Sequence, residues 1–132
     1  ILHSAAARRL KDRFLFAGFL DRDQVREILL KTDLFLMPSV SEPFGIVPLE
    51  AMAHGAAVIL SKQAGVIEVI HNACIVDFWD IDKTVAVLLD LLKNPEKRKA
   101  MAQAGQKEVQ VLQWKNAALK AQKVYGELVC SM

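Results

Sequence analysis

Residues 41–60, SEPFGIVPLEAMAHGAAVIL, place two carboxylates around a Pro-Phe-Gly turn and then continue directly into a segment of small residues. Glu42 precedes the turn on a predicted loop, and Glu50 follows it in the first turn of a helix predicted over 47–54. Gly55 is a typical C-terminal glycine and ends this helix. The apolar AAVIL that follows predicts a buried strand. The stretch therefore predicts a loop, a short helix and a strand in close succession.

Outward from this stretch, short apolar segments alternate with helical ones. The apolar segments predict four buried strands, at 14–19, 33–39, 56–61 and 73–78. The predicted helices cover 1–13, 21–32, 47–54, a short stretch after Gly65, 80–92, a segment that begins at Asn94, and 114–129. This alternation predicts an α/β fold, a Rossmann-like parallel sheet with helices on both faces. Four strands are few for such a sheet, so we expect a partial fold.

Composition and charge exclude several classes of function. The chain has 132 residues, of which 53% are hydrophobic and 24% charged, as in an ordinary globular domain. A net charge of +2 argues against a nucleic-acid partner. No apolar run approaches the ~18 residues that a membrane span needs. Cys74 and Cys130 are far apart and lack metal-ligand spacing, so a cytoplasmic location is the default expectation.

The loop after the second predicted strand has the features of a ligand site. In open α/β sheets, ligands bind outside the carboxyl ends of the strands, and residues 40–50 occupy that edge. Gly45 permits a tight turn or a close backbone approach. The free amides at the start of the next helix, around Ile46, Val47 and Leu49, act together with the helix dipole. These groups favour a bound phosphate.

Glu42 and Glu50 flank this predicted phosphate site. A carboxylate would repel a phosphate, but its two oxygens can accept hydrogen bonds from both hydroxyls of a vicinal diol. One diol could be a ribose and the other a hexose, and together they imply a nucleotide diphospho-sugar. On spacing alone, the alternative is that Glu42 is a solvated loop acid and that Glu50 interacts with the helix dipole, worth about 0.3–1 kcal/mol.

Residues 41–59 strongly resemble the E-x7-E signature of retaining glycosyltransferases of family 4, which have the two-domain GT-B architecture. The strand DLFLMPS before the two acids, EAMAHG after them and the strand AAVIL stand in the order of that family. FLFAGF is similar to the strand that precedes its donor half-site, and WKNAALKAQKVYGEL to its last helix. SKQAGVIEVI and VDFWDID resemble bacterial members.

The resemblance implies a role for each candidate residue. Glu42 would be the catalytic residue and contact hydroxyls of the donor sugar near the reacting carbon, and Glu50 would bind the ribose. The donor would also lie against four backbone amides, those of Phe44, Gly45, Ile46 and Val47. The implied reaction transfers a sugar from the nucleotide to an acceptor hydroxyl with retention of anomeric configuration, and it requires no metal and no cofactor.

The resemblance also implies how the chain is organised. Residues 1–132 would form one domain, most of the C-terminal nucleotide-sugar-binding domain, and the chain begins with Ile1 like a piece of a longer protein. The acceptor domain with its catalytic histidine, and the Arg and Lys that neutralise the diphosphate, would lie upstream. We therefore expect this fragment alone to be inactive.

The same resemblance names the partners. They would be the nucleotide-sugar donor, an acceptor (a saccharide, a lipid or another hydroxyl compound) and the N-terminal domain of the same protein. No nucleic acid is expected. The full-length protein would be cytoplasmic, and the inner face of the membrane is a further place where it could bind peripherally.

One position departs from the family pattern. Ala64 and Gly65 precede Glu68, where the family usually has two glycines. The methyl group of Ala64 argues against a close backbone contact by that residue.

Two other classes of function stay open. The first is a non-catalytic, nucleotide-binding Rossmann-like module. The second is a receiver-like interaction domain, but the strand ends MPSV and LSKQ lack the acidic cluster that a receiver needs.

Four further residues have ordinary structural interpretations. His54 is expected to interact with carbonyls at the helix end. Phe78 and Trp79 are expected to pack at a strand-helix corner, with a nucleotide-base pocket as the alternative. Lys62 is expected to be a surface lysine, with a phosphate contact as the alternative.

Overall fold

A three-stranded parallel β-sheet with helices on both faces forms the framework of the chain. The structure, a computed structural model, describes residues 13–130, of which Cys130 is described by its backbone alone. The helix predicted over 1–13 falls almost entirely outside the described residues. In chain order the elements are α1 (Arg22–Leu29), β1 (Leu34–Met37), α2 (Ile46–Ala53), β2 (Ala57–Ser61), a 3-10 helix (Gly65–Glu68), β3 (Cys74–Val76), α3 (Ile81–Lys93), α4 (Pro95–Val109) and α5 (Trp114–Cys130).

β2 is the central strand of the sheet. The strand order is β1-β2-β3 and both pairs are parallel. Neighbouring side chains of β2 point to opposite faces. Val58 and Leu60 pack in one cluster with Met52 of α2, whereas Ile59 packs in a second cluster with Leu91 of α3. The predicted Rossmann-like parallel sheet with helices on both faces is confirmed.

Local signals place the helix ends. The side chain of Asp21 accepts a hydrogen bond from the backbone N–H of Gln24 (2.9 Å), and the Gln24 side chain accepts one from the backbone N–H of Asp21 (3.0 Å). This capping box begins α1 as predicted. Asp80 caps α3 in the same way, by accepting from a backbone N–H three residues on. Gly55 follows α2 with a φ of 85°. α1 ends at Leu29, earlier than predicted.

The strand predicted over 14–19 is wrong. In the structure this segment is irregular and its side chains are exposed, Leu15 at 85% and Phe19 at 97%. A strand needs a neighbour for its backbone hydrogen bonds, and within residues 13–130 no other strand pairs with this segment. Its apolar composition indicated burial, but composition alone does not provide a pairing partner.

The last helix, α5, begins at Trp114 as predicted. Its described side chains are exposed, among them Trp114, Val124 and Tyr125. Across residues 13–130, no helix combines the length and the apolar character that crossing a bilayer requires.

Candidate functional site

The candidate site lies at the carboxyl edge of the sheet, where β1 and β2 end side by side. The loop from 38 to 45 leaves β1 at this edge and leads into α2. The buried hydroxyl of Ser61, the last residue of β2, donates a hydrogen bond to the carbonyl of Ser39 at 2.6 Å. This bond joins the two strand ends, so the loop that carries the first glutamate begins from a fixed point.

Gly45 forms the turn into α2. Its φ is 90°, a backbone region that favours glycine. A Cβ at this position would meet the side chains of Glu42 at 3.1 Å and Met37 at 3.2 Å. The predicted tight turn and close approach at Gly45 are therefore both present.

The first turn of α2 offers two free amides. Within residues 13–130 no side chain caps this helix at Gly45. α2 begins at Ile46, one residue earlier than predicted, so the helical pattern directs the N–H of Leu49 to the carbonyl of Gly45. The free amides are therefore those of Ile46 and Val47, and the prediction of a free amide at Leu49 is wrong.

The two candidate carboxylates occupy different settings. Glu42 is half-buried, and its backbone forms a parallel bridge with Ala64. Glu50 is exposed on α2. Because α2 begins at Ile46, Glu50 is its fifth residue, and no acidic side chain lies in the first turn. The effect of the helix dipole falls off within that turn, so the dipole interpretation of Glu50 loses support.

Two cavities open beside the start of α2, and Ile46 and Glu50 line both of them. One, of about 400 Å³, lies between Phe44 and residues 109–117. The other, of about 730 Å³, lies against α1, including Arg22. Both volumes fall in the range of small-molecule sites. The structure thus leaves room for a ligand around Glu50.

Gly65 is a site-forming residue that sequence reasoning missed. A Cβ at Gly65 would overlap the carbonyl oxygen of Pro43 and lie 3.3 Å from the Cα of Phe44. The departure from the family pattern pointed instead to Ala64, but this residue is buried and its backbone bridges with that of Glu42, so its methyl group does not prevent a close backbone contact. The signal for Gly65 was the glycine itself, but its partner 22 residues earlier is visible only in the fold.

A comparison with protein families decides which family the chain belongs to. A family model described as glycosyl transferases group 1 matches residues 1–108. The chain belongs to this family.

Relatives and solved structures agree with that assignment. The uncharacterized glycosyltransferase YqgM of Bacillus subtilis is 34% identical over 108 residues, which are 80% of this chain and 30% of that protein. A GDP-mannose-dependent monoacylated alpha-(1-6)-phosphatidylinositol monomannoside mannosyltransferase of Corynebacterium glutamicum is 35% identical over 104 residues, 72% of this chain and 27% of that protein.

Among solved structures, sucrose-phosphate synthase of Thermosynechococcus elongatus superimposes with a TM-score of 0.81 and 28% identity, covering 96% of this chain and 33% of that one. The group 1 chain thus spans about a third or less of each of these three proteins. Its sheet is consistent with part of the C-terminal domain of a GT-B glycosyltransferase.

The remaining candidate residues of this group 1 chain have structural partners. The Nδ1 of His54 lies 2.7 Å from the carbonyl oxygen of Glu50, which confirms the predicted capping role. Lys62 lies on the surface, 3.8 Å from a carboxylate oxygen of Asp77. Trp79 packs against Phe78 with ring centroids 4.0 Å apart and the rings tilted by 37°, but it is otherwise exposed.

Metal ligands do not gather in the described part of this family member. Across residues 13–130, no three His, Cys, Asp or Glu side chains form a group that could hold a metal ion. The thiol of Cys74 lies 3.7 Å from the sulfur of Met101. Burial raises the pKa of this thiol, which favours its neutral form.

Proposed function

We propose that this chain supplies the donor-binding part of a retaining glycosyltransferase of family 4. In the proposed reaction, a sugar passes from a nucleotide diphospho-sugar to an acceptor hydroxyl. The observation that carries the proposal is the pair Glu42 and Glu50 on either side of an uncapped helix start. At the same helix start, the backbone of Gly45 lies close to the side chain of Glu42.

The start of α2 is the proposed diphosphate site. The N–H groups of Ile46 and Val47 have no capping side chain among residues 13–130, and the helix dipole adds a partial positive charge. When the glycosidic bond breaks, negative charge develops on the departing diphosphate. Amides already fixed in position stabilise that charge at no cost of reorganisation, so the proposal needs no metal ion or cofactor.

The two glutamates are assigned to the two polyols of the donor. Glu50 lines both cavities and would accept hydrogen bonds from the ribose hydroxyls. Glu42 would hold hydroxyls of the donor sugar near the reacting carbon, as the catalytic residue. Phe44 and Gly45 complete the donor site through their backbone.

The name of one relative supports the substrate class. The Corynebacterium relative is described as dependent on GDP-mannose, which is a nucleotide diphospho-sugar. We therefore propose a hexosyl donor of this kind for the present chain. The acceptor would be a saccharide, a lipid or another hydroxyl compound.

The proposed organisation places the acceptor site outside this chain. Residues 1–132 would be most of a C-terminal donor domain, in a cytoplasmic protein whose N-terminal domain binds the acceptor, at the inner membrane face where the acceptor is a lipid. The exposed apolar side chains of α5, such as Trp114 and Tyr125, would pack against that domain. The isolated chain is expected to bind the donor without transferring the sugar.

A titration followed by amide NMR tests the proposal. The isotope-labelled chain is mixed with UDP, GDP, ADP and their glucose or mannose conjugates, in parallel with Glu50→Ala. The matched control is Glu96→Ala, which removes an exposed carboxylate at the start of α4.

Shifts centred on residues 44–50, weakened in Glu50→Ala and kept in Glu96→Ala, are the expected result. No shifts near the turn with any nucleotide, in a folded chain, would overturn the proposal. Identical shifts with nucleotide and conjugate would favour the non-catalytic binding module.

A further inference from the structure

The loop that carries Glu42 is hydrogen-bonded to the segment that follows β2. The N–H of Glu42 donates to the carbonyl of Gln63 at 3.4 Å, and the carbonyl of Glu42 accepts from the N–H of Gly65 at 2.9 Å. Two residues further on, the carbonyl of Phe44 accepts from the N–H of Val66 at 2.7 Å. The backbone of Glu42 is therefore held by both its donor and its acceptor.

A side-chain bond holds the loop at its other end. Ser61 is fully buried, and its hydroxyl bonds to the carbonyl of Ser39, three residues before Glu42. Buried polar groups are costly to leave unpaired. The loop is thus tied to residues 61–66 both before and after the glutamate.

Gly65 sets how close the two segments come. A Cβ there would overlap the carbonyl oxygen of Pro43 and lie 2.9 Å from its carbonyl carbon. These are backbone atoms, which do not move aside by a rotamer change as a side chain does. Any side chain at position 65 must therefore push the loop of Glu42 away from its hydrogen-bond partners.

We propose that residues 61–66 form a template that positions Glu42 for the sugar half of the donor, with Gly65 as the positioning residue. This inference rests on the proposed function, because it assigns the donor sugar to Glu42. Gly65 acts through the backbone of Glu42. Glu50 belongs to α2, which is held by its own helical hydrogen bonds, so loosening the template displaces the sugar end of the site and leaves the ribose end in place.

The test compares two ligands in two glycine variants. Gly65→Ala is paired with Gly126→Ala, which adds the same methyl group where a Cβ meets nothing within 4 Å. Dissociation constants are measured for a nucleoside diphosphate and for its sugar conjugate. In Gly65→Ala the affinity for the conjugate relative to the diphosphate falls about tenfold or more, because small misplacements of positioning groups are costly. The diphosphate binds as before, and Gly126→Ala changes neither.

Two results separate failure of the inference from failure of the proposed function. If Gly65→Ala folds and its affinity for the conjugate relative to the diphosphate equals that of the wild-type chain, the template is overturned. If the wild-type chain binds neither ligand, the proposed function is overturned, and with it the role of the template in donor binding.

Hydrogen exchange decides on the template without any ligand. The amides of Gly65 and Val66 are expected to exchange slowly in the unchanged chain. Fast exchange of both, beside slow exchange in β2, would show that the template does not exist. If Gly65→Ala does not fold, Ser61→Ala replaces it, since it removes only the bond to Ser39. It is expected to speed exchange at both amides and to lower the same affinity ratio, and no change in either would count against the template.

Discussion

The Cγ atom of Glu42 lies 3.1 Å from the position that a Cβ would take at Gly45. Gly45 also has a φ of 90°, which L side chains rarely adopt. Glycine at this position therefore does two things. It lets the chain turn into α2, and it leaves room for the side chain of the first glutamate.

Replacing Gly45 by alanine separates these two effects when Gly55→Ala is the control. Gly55 has a φ of 85°, but a Cβ there would meet only the side chain of Gln106, at 3.9 Å. We expect both variants to lose about 1–3 kcal/mol of unfolding free energy from backbone strain, measured by urea denaturation. Only Gly45→Ala should also weaken binding of a nucleotide sugar, because it moves Glu42. Equal affinity in the two variants would contradict this account.

Structural features that depend on near neighbours in the sequence were predicted correctly. The capping box of Asp21 and Gln24, the cap at Asp80 and the glycines at 45 and 55 all depend on contacts within a few residues. Both members of each such contact lie in one short stretch of the sequence. The parallel sheet followed in turn, because the apolar strands alternate with these helices.

Features that depend on distant partners were not predicted. The segment 14–19 has the composition of a buried strand, but no other strand in residues 13–130 pairs with it. The bonds from Gly65 and Val66 to the loop after β1 join residues more than 20 apart. Neither the pairing nor its absence leaves a local trace in the sequence.

A buried carboxylate in α4 predicts a pH-dependent stability. The Glu108 side chain is only 13% exposed. It accepts hydrogen bonds from the backbone N–H groups of His71 (2.6 Å) and Asn72 (2.9 Å) and from both of their side chains. Burial raises the pKa of Glu108, but these bonds outweigh that effect and hold its pKa below the ordinary value of 4.5. A lowered folded-state pKa stabilises the fold above the unfolded value and loses that contribution as the pH falls through the folded one.

We expect Glu108→Gln to lower the unfolding free energy at pH 7 by about 1–3 kcal/mol, because charged hydrogen bonds are lost. The difference from the unchanged chain should shrink as the pH is taken below 4.5, in urea titrations at a series of pH values. Glu96→Gln, at an exposed site on the same helix, should have little effect at any pH. A deficit for Glu108→Gln that stays constant with pH would contradict the assigned protonation.

Packing between α2 and α4 predicts that the effect of Gly105→Ala on stability depends on Met52. Met52 is fully buried, and a Cβ at Gly105 would lie 2.9 Å from its terminal methyl carbon. We expect the methyl group of Gly105→Ala to crowd Met52, and the cost of overpacking, typically about 1–3 kcal/mol, to cancel at least the helix propensity gain of about 1 kcal/mol.

In a Met52→Ala background the crowding is gone, so Gly105→Ala should stabilise. Met52→Ala alone should cost about 2–5 kcal/mol. A double-mutant cycle by urea denaturation measures the coupling between the two sites. An equal effect of Gly105→Ala in both backgrounds would mean that Met52 does not occupy the space beside Gly105.

The two glutamates of the candidate site should respond differently to two ligands. If Glu50 binds the ribose, Glu50→Ala weakens a nucleoside diphosphate and its sugar conjugate by the same factor, about tenfold to hundredfold for a charged hydrogen-bonded contact. If Glu42 binds the sugar, Glu42→Ala weakens the conjugate alone. Both are measured as dissociation constants on the same chain, with Glu96→Ala as the control. Equal losses on both ligands from Glu42→Ala would place the nucleotide, rather than the sugar, at the loop after β1 and reverse the orientation of the donor.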